Sequence, residues 1–81
     1  MRENDVRKLF EPFALDEEKK EELWEAVCSL NEQLRAVVVL YYYQGFSVRE
    51  ISSILGISQA NVKTRLSRAR KCLREQLEVL P

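Results

Sequence analysis

An all-α fold, a small bundle of four main helices with a C-terminal helix-turn-helix and no strands, is predicted by three features of this 81-residue sequence. Apolar residues recur at helical spacing over most of the chain. Side-chain caps stand in front of successive periodic segments. Both glycines, Gly45 and Gly56, follow helix-compatible runs, where a left-handed C′ position favours glycine.

The elements follow in order. Residues 1–15, with Val6, Leu9, Phe10 and Phe13 around Pro12, read either as a linker or as a short docking helix, and 16–81 as the domain proper. Asp16 and the acidic residues after it suit the start of a helix, where the dipole favours negative charge, and Leu23, Val27 and Leu30 continue it at helical spacing. Asn31 caps a second helix over Glu32 to Gln44, stopped by Gly45. This segment contains AVVVLYYYQG, the most strand-like run in the chain by intrinsic preference. No second such run exists to pair with it, and a lone strand would leave its edges open, so the helix is preferred. Leu34, Val37, Val38, Tyr41 and Tyr42 then share one arc, with Val39, Leu40 and Tyr43 on the other side. A helix apolar nearly all round is buried centrally, one flank on the helix before it and the other on the two after it. Exposed instead, Val39, Leu40 and Tyr43 would form a protein-partner surface.

Composition removes several function classes. There is no histidine, and Cys28 and Cys72 are far apart without metal-ligand or disulfide-framework spacing, so two reduced thiols and no metal or cofactor are expected. No glycine-rich phosphate loop or convergent nucleophile cluster argues for an enzyme. The longest apolar run is too short to span a bilayer, which points to a cytoplasmic protein without membrane insertion. The zero net charge conceals a separation. Residues 1–46 hold six Lys/Arg against ten Asp/Glu, whereas 47–74 hold seven against one.

Function is concentrated in that basic part, SVREISSILGISQANVKTRLSRARKCLR. Ser47 with Glu50 forms a capping-box pattern before Ile51, Ile54 and Leu55; Gly56-Ile57-Ser58 makes a tight turn; Ser58 caps a long helix. This is a helix-turn-helix pattern, with Ile51, Leu55, Ile57, Val62 and Leu66 as the shared core. On the last helix, Val62, Leu66, Ala69, Leu73, Leu77 and Leu80 stay within an arc of about 80°. The opposite side carries Ala60, Asn61, Thr64, Ser67, Arg68 and Lys71; Lys63, Arg70 and Arg74 line one flank and Arg65 the other. A slim polar face rimmed by cations suits a major groove about 12 Å wide, with basic side chains to phosphates and short polar groups to base edges. From Gln59 to Arg74 no acidic residue interrupts it, unlike the mixed charges of a merely solvated helix. A basic helix that binds protein remains the other reading of this face.

The stretch LNEQLRAVVVLYYYQGFS, then EISSILGIS, then NVKTRLSRARKCL, within Leu30 to Leu77, resembles region 4 of bacterial sigma factors of the sigma-70 family, most closely the extracytoplasmic-function group. The resemblance implies a sigma4-type domain that recognises the −35 promoter element with helix 59–77 and docks on the β flap of RNA polymerase, often under the control of an anti-sigma factor. It places base-reading roles on Lys63, Thr64, Ser67 and Arg68, and backbone contacts on Arg49, Gln59, Arg65 and Arg70. The helical wheel adds Lys71 as a phosphate contact, and the helix N-terminus at Ser58 offers backbone N–H groups to phosphate. Arg68 is the best placed for a bidentate guanine contact. A complete factor of this group also needs a promoter-melting domain upstream, so an excised region 4 is favoured over a stand-alone protein. Two alternatives stand beside this: the output helix-turn-helix of a response regulator, whose recognition helix is usually followed by a separate dimerisation helix, and a module that binds polymerase or an anti-sigma factor without reading DNA.

Overall fold

The computed structural model describes residues 17–78, with side-chain surroundings for 21–76; the 1–15 segment, Asp16, and the side chains of Leu77 and Leu80 lie outside the described residues. Four α-helices, and no strand among the described residues, run α1 (Glu17–Ser29), α2 (Glu32–Val38), α3 (Val48–Leu55) and α4 (Gln59–Glu78), with a π-helical segment, Val39–Tyr43, continuing α2.

Local chemistry explains the boundaries. Asn31 Oδ1 accepts from the Leu34 N–H at 2.9 Å and opens α2. Arg35, one turn into α2, donates from Nη1 to the Cys28 carbonyl at 3.1 Å. A cation thereby meets the negative end of α1, and one of that helix's orphan carbonyls gains a partner. The box at α3 closes in both directions: Ser47 Oγ accepts from the Glu50 N–H at 3.1 Å, and the Glu50 carboxylate accepts from the Ser47 N–H at 2.8 Å. At its other end Gly56 has φ 69°, and the N–H groups of Gly56 and Ile57 both donate to the Ser52 carbonyl. The Ser52 hydroxyl donates back to the Ile57 carbonyl, which fastens the turn before Ser58.

The expected uninterrupted α-helix from 32 to 44 is corrected. Beyond Val38 the ladder widens, the Gln44 N–H donating to the Val39 carbonyl five residues back at 2.9 Å. A wider turn advances each residue by less than 100°, so Tyr41, Tyr42 and Tyr43 lag behind the positions an α-helix would give them. Tyr42 ends buried at 9% exposure, Tyr41 half-buried against it edge-to-face, and Tyr43 lies beside Trp24 of α1 with ring centroids 5.0 Å apart. Gly45, at φ 81°, then turns the chain toward α3.

The core draws on every element: Leu23, Ala26, Val27 and Leu30 from α1, Val37 and Val38 from α2, Tyr42, Ile51 from α3, and Val62, Leu66, Ala69 and Leu73 from α4. Each fully buried aliphatic side chain contributes about 1.5–3 kcal/mol relative to exposure. α2 packs on α1 and α4, and the π segment on α3, so the central position expected for this apolar helix is the observed one. Of the expected helix-turn-helix core, Ile51, Val62 and Leu66 are buried, while Leu55 and Ile57 are half-buried around them; Ile54, in the same run, is 51% exposed. Cys28 and Cys72 are free thiols.

Candidate nucleic-acid interface

α4 packs on α1, α2 and α3, and its buried stripe fixes which side chains are left outside. Its first turn is set by Ser58, whose Oγ accepts from the Asn61 N–H at 3.0 Å. Gln59, Ala60 and Asn61 follow on the surface. Lys63, Thr64, Ser67, Arg68 and Lys71 are all exposed, as is Arg74. The structure therefore brings the four residues assigned to base reading onto one solvent-facing side, flanked by cations.

Chemistry differs along that side. The Thr64 hydroxyl donates to the Ala60 carbonyl at 3.0 Å, which leaves its oxygen lone pairs and its methyl group facing outward. Thr64 can thus accept from a base amino group or touch a thymine methyl. Arg68 is exposed and keeps its guanidinium fork available for a bidentate acceptor. Arg65 is half-buried, and so is Arg70, whose Nη1 donates to the Tyr42 hydroxyl at 2.7 Å. This tie to the core was not anticipated from the sequence. The available signal was that a buried tyrosine needs a hydrogen-bond partner, although no local rule identifies one 28 positions away.

Arg49 is exposed in the first turn of α3, beside the Ser47 cap. An open concavity of about 460 Å³ lies on the outer side of α4, lined by Ser67, Arg70, Lys71, Arg74 and Glu75. The surface suggested for a protein partner is only partly exposed. Val39 and Leu40 are half-buried against the core, whereas Tyr43 retains 37% exposure and Trp24 45%. No helix among the described residues is long and apolar enough to cross a membrane, and no three metal-ligating side chains cluster among them.

A capped α3, a glycine turn and a long α4 with a polar, cation-rimmed outer face define a helix-turn-helix domain of the type that presents its second helix to nucleic acid. The family model described as sigma-70, region 4 matches residues 20–73, from α1 to near the end of α4, and the chain belongs to this family of transcription initiation factors. It is similar to the ECF RNA polymerase sigma factor SigX of Bacillus subtilis, 33% identical over 94% of this chain and 39% of the relative. The ECF sigma factor SigW of the same organism is 43% identical over 67% of this chain and 29% of the relative. SigL of Mycobacterium tuberculosis is 39% identical over 69% of this chain and 32% of the relative. The chain thus spans about a third of the length of these relatives. The match begins in α1, ten residues before Leu30.

Proposed function

We propose that this domain serves bacterial transcription initiation by recognising the −35 promoter element through α4, while another face docks on the β flap of RNA polymerase. The observation that carries this reading is the outer face of α4 in a sigma-70 region 4 fold: exposed Lys63, Thr64, Ser67 and Arg68, with no acidic residue from Gln59 to Arg74. Lys63, Thr64, Ser67 and Arg68 read base edges. Arg49, Ser58, Gln59, Arg65, Arg70 and Lys71 hold the phosphate backbone on either side, which sets register without carrying sequence information. The domain acts in the cytoplasm by binding alone, with no catalytic step and no cofactor.

For the protein partners, Tyr43 with Trp24 beside it offers more open apolar surface than Val39 or Leu40. Polymerase and an anti-sigma factor are the partners this surface would serve. Footprinting the chain together with core polymerase on a promoter library tests the proposal. Protection and enrichment centred upstream of the start site are expected. Polymerase binding without any DNA enrichment would instead favour a pure interaction module.

A further inference from the structure

Among the cations assigned to the DNA face, Arg70 is the one tied to the core. Lys63, Arg68 and Lys71 project into solvent, whereas Arg70 is half-buried and donates to the hydroxyl of Tyr42 at 2.7 Å. Tyr42 is itself held firmly: it is buried, Tyr41 packs edge-to-face on its ring at 4.9 Å, and it lies within the π-helical segment. Its hydroxyl thus comes from a ring buried in the core against which α4 packs. A guanidinium has five N–H donors, so one bond to Tyr42 leaves four for another acceptor. Arg70 lines the open concavity with Ser67, Lys71, Arg74 and Glu75, where three cations outweigh one carboxylate and can meet a phosphate oxygen.

We propose that Tyr42 is a positioning residue for DNA binding: through its hydroxyl it holds the Arg70 guanidinium, before DNA arrives, in the orientation that meets a backbone phosphate at this concavity. The inference rests on the promoter-binding reading and adds to it a residue that does not itself touch DNA. A long side chain ordered in advance loses less rotamer freedom on binding, and that saving appears as affinity. The contact goes to the backbone, so it affects all duplexes alike and leaves base preference unchanged. The π segment has a corresponding role, since it sets where Tyr42 lies relative to α4.

The test is a double-mutant cycle on duplex binding by the full chain, using Tyr42→Phe, Arg70→Ala and the double variant, at several salt concentrations and on both promoter and random duplexes. Tyr42→Phe keeps the ring and deletes only the hydroxyl. It is expected to weaken binding about two- to tenfold on both kinds of duplex, the range for one side chain that must now be immobilised on binding. In the Arg70→Ala background the same substitution is expected to change nothing. Lys71→Ala, as a control, should weaken Tyr42→Phe and the unsubstituted chain by the same factor. Thermal melts of each variant, run alongside, separate lost fold from lost preorganisation. Equal DNA affinity for Tyr42→Phe and the unsubstituted chain overturns the inference, as does a loss that persists without Arg70 or that follows the unfolded fraction. Failure of the unsubstituted chain, with core polymerase present, to favour promoter over random duplexes overturns the promoter reading together with it.

Discussion

Partial burial raises the pKa of Tyr43 above the ordinary tyrosine value, and Cys28 close by adds to the shift. The fold therefore favours the neutral phenol. This contribution is fully present below the unfolded value, about pH 10, and is lost as pH rises through the folded value. An ultraviolet titration should show one tyrosine ionising later than in the unfolded chain, and Tyr43→Phe should remove that late step and soften the alkaline loss of stability. On α4, Lys71→Ala should weaken binding to all duplexes about equally and lower the slope of log K against log salt by about one. The role of Lys71 as an exposed cation is legible in the sequence, because helical spacing alone assigns its side. The partner of Arg70 is not, because Tyr42 comes from a different helix and only tertiary packing brings the two together.

At the level of elements, the helix ends were readable because their chemistry is local. Ser47 and Glu50 are three residues apart, and the box they form needs nothing from the rest of the molecule. Ser47→Ala should cost about 1 kcal/mol in urea unfolding. Gly56 has φ 69°, and a Cβ there would meet nothing within 4 Å, so Gly56→Ala should cost only the left-handed backbone penalty, about 1–2 kcal/mol. Within α3, Ile51→Ala should cost about 2–5 kcal/mol for a fully buried side chain, and Ile54→Ala on the exposed side about 0.5 or less. Sequence periodicity placed both isoleucines in one capped amphipathic run; the way α3 lies on α4 and the π segment distinguishes them. That segment was also beyond local reading. Its residues fit an α-helix equally well by pattern, and the widening shows in the backbone bonds, among them Gln44 N–H to the Val39 carbonyl.

For the molecule as a whole, the basic part of the sequence is the part that forms the helix-turn-helix. The basic second part supplies α3, with exposed Arg49, and α4, with exposed Lys63, Arg68, Lys71 and Arg74. Few phosphates can be reached by so small a module, so duplex affinity of the chain by itself should be weak and should fall steeply with salt, improving when linkage to polymerase supplies a second site. The all-α class, the helix-turn-helix and the side of α4 that faces outward were legible because they follow from spacing and caps. Sequence reading by this side of α4 is tested by selection from randomised duplexes with the unsubstituted chain and with Arg68→Ala, each bound to core polymerase. The unsubstituted chain should enrich a short motif containing guanine, and Arg68→Ala should lose preference at one guanine position, about 1–3 kcal/mol of discrimination, while keeping the others. The same motif at the same strength from both proteins would remove Arg68 from base reading, and no motif from either would show that α4 does not read sequence.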